Sequence, residues 1–174
     1  MNKWWAEDST ERYWLEVTDR QDLGADLRAP ATDEAGRENW RYSLFNLARV
    51  GDVVLHYHKT EQAQGIVGYS VIGGPSEPAE IVWAARGTYA RNKGTQPHAR
   101  PEYRIPLGGL SLFSAPLLLS EIRARRDEIA AIAAAQEAAT KPPLYLPFEL
   151  SEKRELRLLQ GYAFKLPRRF VESF

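Results

Sequence analysis

The residues best suited to chemistry lie between Asn39 and Ile72, where aromatic and polar side chains alternate with short apolar runs. The aromatic residues of this stretch and just beyond it are Trp40, Tyr42, Tyr57, Tyr69 and Trp83. Flat rings that face each other across a gap can hold a nucleobase, since stacking contributes roughly 1–3 kcal/mol per base. Trp40 and Trp83 each lie in or beside a loop among polar neighbours, so we predict that these two rings form the walls of a base pocket.

Polar side chains at the ends of the predicted strands could contact the hydrogen-bonding edge of such a base. They are Thr18, Ser43, His58 and Ser70. The alternative for the aromatic residues is that they fill the core of a small barrel, which for any single ring is the commoner outcome. Both hypotheses stay open at this point.

A basic segment directly follows Trp83. Its cations are Arg86, Arg91, Lys93, Arg100 and Arg104, against the single acid Glu102. The whole chain has 23 basic and 23 acidic residues, so this excess is local. Arginines beside an aromatic pocket are suited to phosphate contacts, and we predict that this segment holds a nucleic-acid backbone. The alternative is an ordinary solvated loop.

The chain lacks the local signatures of catalysis and cofactor binding. No serine lies in a Gly-x-Ser-x-Gly elbow, and no Walker phosphate loop or dinucleotide glycine fingerprint occurs. His56-x-His58 could supply two metal ligands, but no third ligand follows at a characteristic spacing. We therefore expect no catalytic residue, no cofactor and no metal, and a chain that is not an enzyme by itself.

Composition places the chain among ordinary soluble proteins. It has 174 residues, is 44% hydrophobic and contains no cysteine. No apolar run approaches the roughly 20 residues that span a bilayer, so we expect no membrane partner and a cytoplasmic location. The length allows one domain, or one domain with a helical appendage.

Hydrophobic periodicity predicts strands first and helices afterwards, an α+β chain. The predicted strands are Tyr13 to Thr18, Val53 to His58, Gly65 to Ile72, Ile81 to Trp83, and Tyr103 to Leu107, with the last at a sheet edge because Pro106 cannot donate. The predicted helical segments are Ser43 to Ala48, Ser120 to Thr140 with Ser120 as N-cap, Ser151 to Leu159, and Leu166 to Val171. A long loop is predicted over Asp19 to Gly36.

Several of these segments in this order resemble an EVE domain, a family of the PUA-like superfamily that is similar to the YTH readers of methyladenine. The similar segments are Tyr13-Trp14-Leu15, the Trp40 loop, Arg49 to His58 and Gly65 to Ser70. The resemblance covers roughly residues 13 to 110 and implies a bent, partly open β-barrel with helices at its rim. It also implies an aromatic cage for a modified base, with Trp40 and Trp83 as walls, Tyr42 or Ser43 beside Trp40, and Tyr57 and His58 at the floor or edge.

The longer form, with its extra helical region, resembles the N-terminal reader part of modification-dependent restriction enzymes, in which an EVE-like domain precedes an HNH nuclease. This resemblance implies a reader domain over 1–115 and a helical extension over 116–174 that leads to a nuclease domain absent from this chain. The partner it implies is DNA with 5-methyl- or 5-hydroxymethylcytosine, flipped into the cage in phage defence. The alternatives are a reader of modified RNA, an enzyme with a carboxylate site, and an adaptor that docks through Ser120 to Thr140.

Overall fold

The computed structural model describes residues 3–33, 35–59, 64–83, 98–140, 144–151 and 154–174, without the side chain of Trp83. Its strands are β1 (Tyr13–Thr18), β2 (Asp26–Pro30), β3 (Val53–Lys59), β4 (Gln64–Ile72), β5 (Glu77–Trp83), β6 (His98–Leu118), β7 (Phe148–Glu149), β8 (Arg157–Leu158) and β9 (Ala163–Leu166). Its helices are α1 (Trp40–Ser43), α2 (Leu119–Ala124), α3 (Arg126–Ala139) and α4 (Arg168–Glu172), and a 3₁₀ turn spans Leu44–Leu47.

Seven strands form one mixed sheet in the order β2-β6-β4-β3-β1-β9, and β5 pairs with β6 as well. The strands β1 and β3 run parallel, whereas the other pairs in this sheet are antiparallel. The sheet is curled and does not close, because β2 and β9 stand at opposite ends of the order. The α+β class and the bent, partly open barrel that the resemblance implies are confirmed.

Two apolar cores lie on the two faces of the sheet. Inside the curl, Trp14 and Val54 pack with Leu27 and Ile105 of the opposite wall and with Phe45 of the 3₁₀ turn. On the outer face, side chains from β1, β3, β4 and β9 pack against the helices. That outer core contains Leu15, Leu55, Tyr57, Ile66, Ile122, Ile129, Phe164 and Phe170. Alternation along each strand sends neighbouring residues to opposite cores, which is why the β1 and β3 predictions were correct.

The predicted loop from Asp19 to Gly36 is wrong in part, because it contains the strand β2. This strand is short and ends in Pro30, so its composition resembles a turn. The predicted edge position of Tyr103 to Leu107 is also wrong, since β6 is paired on both sides there. Pro106 still pairs with Asp26 of β2, and on the other side of β6 it lies between the last pair with β5, at Arg104, and the first pair with β4, at Leu107. It is tolerated because β6 changes partners there.

The C-terminal third departs most from the predicted helices. The predicted helix over 120–140 is divided at Arg125 into two helices. The first of them begins after Leu118, whose backbone N–H donates to the Glu121 carboxylate (2.8 Å). The prediction of Ser120 as N-cap is therefore wrong. The predicted helix over 151–159 is wrong as well, because β7 and β8 pair across this region. The strand β9 was not predicted, and the last helix begins at Arg168 instead of Leu166.

Residues after 116 contribute to the same sheet and the same core as those before it. β9 pairs antiparallel with β1, from Tyr13↔Leu166 to Glu16↔Ala163. The ammonium group of Lys165 is buried, donates to the Glu11 carbonyl (2.6 Å) and lies 4.8 Å from the centre of the Trp14 ring. Burial lowers the pKa of Lys165 to about 8. The division of the chain at 115/116 stays a prediction. No described helix combines the length and apolar character needed to cross a bilayer.

Removal of a buried side chain from β9 tests how much this C-terminal strand stabilises the sheet. We expect Phe164→Ala to lower the free energy of unfolding by about 3–5 kcal/mol, because the ring is fully buried and its loss leaves a cavity. Phe113→Ala, at an exposed ring on β6, is the matched control and should change it by less than about 1 kcal/mol. Urea unfolding measures both, and equal losses would contradict a core role for β9.

Candidate nucleic-acid interface

The parallel pairing of β1 and β3 brings the carboxyl ends of both strands to one edge of the sheet. In this register Glu16 lies opposite His56, and Thr18 lies opposite His58. His58 donates from Nε2 to the carbonyl of Arg20 (2.9 Å), and the backbone N–H of Arg20 donates to the Thr18 hydroxyl (3.2 Å). Two of the predicted pocket residues, Thr18 and His58, are therefore neighbours, and both hold the loop that leaves β1.

Trp40 is exposed and firmly placed. The Asn39 side chain caps α1 by accepting the backbone N–H of Arg41 (3.0 Å). The Trp40 ring meets Tyr145 edge to face at 5.0 Å, and the Arg41 guanidinium lies 5.5 Å from the Trp40 ring centre. Even so, 42% of Trp40 stays accessible to solvent. An indole that is held by these contacts and still open to solvent is suited to stack on a flat ligand.

Further aromatic side chains lie between α1 and the end of β1. Tyr42 meets Tyr162 edge to face at 5.3 Å, and the carbonyl of Tyr162 accepts the backbone N–H of Val17 (3.0 Å), one residue before Thr18. Ser43 donates its hydroxyl to the Trp40 carbonyl (3.5 Å). We call Trp40, Tyr42, Tyr145 and Tyr162 the aromatic rim. These contacts link Tyr42 to the end of β1 through Tyr162. That Trp40, Tyr42, Ser43, Thr18 and His58 line one pocket stays a prediction.

Ser70 lies beneath this edge in a buried hydrogen-bond relay. Its hydroxyl is 2.8 Å from His56 Nε2, and His56 Nδ1 is 2.7 Å from the Glu16 carboxylate. This is the order of groups in a serine hydrolase triad. However, Ser70 has no accessible surface, and its Oγ lies against Gly24, where an added Cβ would be 2.9 Å away. The relay therefore serves as a polar floor that fixes the loop after β1.

Tyr57 lies apart from the rim. Its ring packs in the outer core with Ile66 and Phe164, and it has no accessible surface. Burial raises the pKa of its hydroxyl, which has no hydrogen-bond partner within the described part of the chain. Tyr57 is therefore a core residue, which is the alternative that the sequence left open.

A buried carboxylate gathers three arginines beside the strand ends. Asp26 accepts from Arg28 Nε (2.9 Å), from Arg20 through one guanidinium nitrogen (2.7 Å) and from Arg104 Nε (2.7 Å). Burial acts to raise the Asp26 pKa, but the hydrogen bonds from Arg28 and Arg20 outweigh it and hold the pKa below its usual range. We call Arg20, Arg28 and Arg104 the arginine fan. The Arg104 side chain is 48% exposed, so it can also contact a phosphate.

Of the other predicted basic residues, the structure describes Arg100. Arg100 is buried, and its Nε donates to His98 Nε2 (2.8 Å). Arg86, Arg91 and Lys93 lie outside the described residues, as does the Trp83 side chain. The backbone of Trp83 ends β5 opposite His98. The pairing of Trp40 with Trp83 as two walls stays a prediction, and the ring that the structure describes against Trp40 is Tyr145.

Sequence reasoning missed Tyr145, Tyr162, Arg20 and Arg28 at this interface. The rings of Tyr145 and Tyr162 reach α1 only because β9 returns to β1, and no local pattern announces a pairing over about 150 residues. A sequence signal for the arginines was present, since acidic and basic residues lie close together from Asp19 to Arg28.

Two cavities lie at the N-terminal segment. The larger, about 270 Å³, is lined by residues that include Trp4, Glu11 and Arg168, and the smaller, about 190 Å³, by residues that include Trp5 and Asp52. None of the predicted pocket residues lines either of them. Among the described residues, no group of three or more histidines and carboxylates is placed to hold a metal ion.

Comparison with known proteins gives structural likeness only. No family model and no curated protein matches the chain. Protein PSPTO5229 from Pseudomonas syringae is similar at 17% identity and a TM-score of 0.49, over 92% of this chain and 95% of that one. The N-terminal domain of Staphylothermus marinus McrB is similar at 15% identity and a TM-score of 0.48, over 94% and 92%. Human THYN1, solved in complex with 5-methylcytosine-containing DNA, is similar at 14% identity and a TM-score of 0.39, over 70% of this chain and 78% of that one. Likenesses of this extent assign no function to this chain.

The arginine fan makes a prediction about stability and pH. Asp26→Asn should lower the free energy of unfolding at pH 7 by about 3 kcal/mol, because three arginines lose their buried counter-charge. The lowered pKa of Asp26 means that its stabilisation is present above pH 4 and is lost as the pH falls further. Urea unfolding should therefore show a difference in the free energy of unfolding between the wild type and Asp26→Asn that is smaller at pH 3 than at pH 7. The same difference at both pH values would contradict the ionic role of Asp26.

Proposed function

We propose that this chain is a DNA-binding module that recognises a modified cytosine, 5-methyl- or 5-hydroxymethylcytosine, by taking the base out of the duplex. The base would stack on Trp40 at the aromatic rim and present its edge to the polar groups at the ends of β1 and β3. The ligand class comes from the EVE resemblance. The observation that carries the proposal is the exposed Trp40 indole, held in place by contacts with Tyr145 and Arg41.

The exposure of Trp40 distinguishes it from most rings of its size in the chain. Trp5 and Trp14 are buried in the inner core, where their apolar surface contributes to stability. Leaving an indole in water forgoes that contribution, which a site for a flat ligand explains. Tyr42 and Tyr162 extend the aromatic surface from Trp40 towards Thr18, so a base stacked on Trp40 would have hydroxyl and imidazole groups near its edge.

Arg104 of the arginine fan supplies an exposed guanidinium group for a phosphate backbone. The chain is neutral as a whole, so attraction to DNA must come from a local group of cations. Asp26 fixes the three guanidinium groups and leaves more than two fifths of the Arg104 side chain exposed. Arg20 joins the fan to the end of β3, because its carbonyl accepts from His58 and its guanidinium group donates to Asp26. Arg86, Arg91 and Lys93 remain proposed backbone contacts.

In this proposal the chain is the targeting part of a modification-dependent restriction endonuclease, and the HNH nuclease that cleaves DNA is a downstream domain. Binding and cleavage are then separate functions, so the chain needs no catalytic residue of its own. The Ser70 relay agrees with this division, since Ser70 lies under Gly24 and out of reach of a substrate.

Truncation of the exposed indole tests the base site. Trp40→Ala should weaken binding to a duplex with one 5-methylcytosine by about 1–3 kcal/mol, through lost stacking, and leave binding to the unmethylated duplex almost unchanged. Trp40→Phe keeps a flat ring at the same place and should retain most of the preference. Fluorescence anisotropy on the two duplexes, and on a methylated RNA duplex, measures these affinities. Equal losses on both DNA duplexes would reject Trp40 as the base platform.

Loss of a phosphate contact should affect DNA binding differently from loss of the base site. Arg104→Gln should weaken binding to methylated and unmethylated duplexes alike and reduce the slope of log Kd against log salt by about 1. Arg157→Gln, at a half-exposed arginine paired with Glu149 on the β7–β8 hairpin, is the matched control and should leave the slope unchanged. The assignment fails if the two variants behave alike in a salt titration.

A further inference from the structure

The Arg41 side chain lies beside two rings of the aromatic rim. Its guanidinium carbon is 5.5 Å from the centre of the Trp40 ring and 5.4 Å from the centre of the Tyr145 ring. These two rings meet edge to face at 5.0 Å, so one cation contacts both of them. Guanidinium groups stack on aromatic rings because the ring quadrupole attracts a positive charge. The rim therefore carries a positive charge of its own.

No carboxylate in the described part of the chain neutralises this charge. Asp26 accepts from all three members of the arginine fan, whereas the Arg41 guanidinium group forms no ion pair with any residue that the structure describes. Asp33, in the segment before α1, is already paired with Arg37. The charge of Arg41 is therefore free to act on a ligand of the rim.

The hydroxyl group of Tyr145 shows that this charge is felt at the rim. Burial raises the pKa of Tyr145, and the positive charge of Arg41 acts in the opposite direction. Trp40, Tyr42 and Tyr162, the other members of the rim, carry no charge at neutral pH. Among the residues that form the rim and contact Trp40, the fixed charge is thus that of Arg41.

An aromatic site without a cation of its own favours positively charged ligands, because cation–π attraction holds quaternary ammonium groups and similar cations. At Trp40 this contact is already made by Arg41. A base stacked on the indole would lie about 3.5–4 Å from it, so a charge on the base would come within about 10 Å of the guanidinium group. This distance is about one Debye length at 0.1 M salt, and like charges still repel each other over it.

We propose that Arg41 makes the base site selective for uncharged bases and excludes bases that carry a positive charge. This inference rests on the proposed function, because it concerns a base stacked on Trp40. Cytosines that are methylated or hydroxymethylated at carbon 5 are neutral and belong to the accepted class. 3-Methylcytosine has the same number of methyl groups as 5-methylcytosine but is a cation at neutral pH, so it belongs to the excluded class.

The test compares these two methylcytosines by fluorescence anisotropy at one salt concentration. Each is placed opposite an abasic site in the same duplex, so that no base pair has to be broken in either case. Arg41→Gln should narrow the preference for 5-methylcytosine over 3-methylcytosine by about threefold to tenfold, because the repulsion is lost. Arg41→Lys keeps the charge and should keep the preference within about twofold of the wild type. Arg154→Gln, at an exposed arginine between β7 and β8, is the control and should do the same.

Two results would overturn this role of Arg41. A preference that Arg41→Gln leaves unchanged, whether or not both affinities fall together, would remove the charge from base selection. A preference that Arg41→Lys narrows as much as Arg41→Gln does would make the shape of the guanidinium group responsible instead of its charge. Because the contacts to the edge of the base are the same in all variants, they cancel in this comparison.

Ion quenching of Trp40 fluorescence tests the charge at the rim without DNA. The difference between the wild type and Trp40→Phe isolates the Trp40 emission. Iodide, an anion, should quench this emission more strongly than caesium, a cation, and Arg41→Gln should lower the ratio of the two quenching constants. A ratio that Arg41→Gln leaves unchanged would overturn the proposal. Failure of the proposed function is seen separately, as a wild type that does not distinguish 5-methylcytosine from cytosine in a paired duplex.

Discussion

The parallel pairing of β1 with β3 is the constraint on which the interface depends. It places Glu16 beside His56 and Thr18 beside His58, and it sends both strands out of the sheet at one edge. The first pair builds the buried relay to Ser70, and the second holds the loop that carries Arg20. A shift of one residue would turn both histidines to the helix-covered face, because side chains alternate along a strand. The interface would then lose its floor and its loop together.

Charge inside this framework is balanced locally. Asp26 neutralises guanidinium groups that would otherwise repel one another, and Arg20 extends the network to Glu16 at 4.0 Å. The arginines are thereby held in fixed positions before any ligand arrives, so less side-chain entropy is lost when a phosphate binds. A neutral chain can in this way hold the half-exposed Arg104 guanidinium group in a fixed position.

Local patterns predicted the parts of the fold in which each strand shows its own signal. β1, β3 and β4 follow from alternation between two apolar faces. Features that depend on distant partners were missed. β9 has only four residues and is stabilised by β1, while Pro106 is tolerated only because β6 changes partners. For the same reason the sequence could not separate Tyr57, a core ring, from the exposed ring of Trp40.

The most direct measurement is a crystal structure of this chain with a short duplex that contains one 5-methylcytosine. The account predicts that the methylated cytosine is extrahelical, with its ring stacked on the Trp40 indole and the flanking phosphates within hydrogen-bond distance of Arg104. A cytosine still paired inside the duplex, or a duplex bound to another face with Trp40 left in solvent, would contradict it.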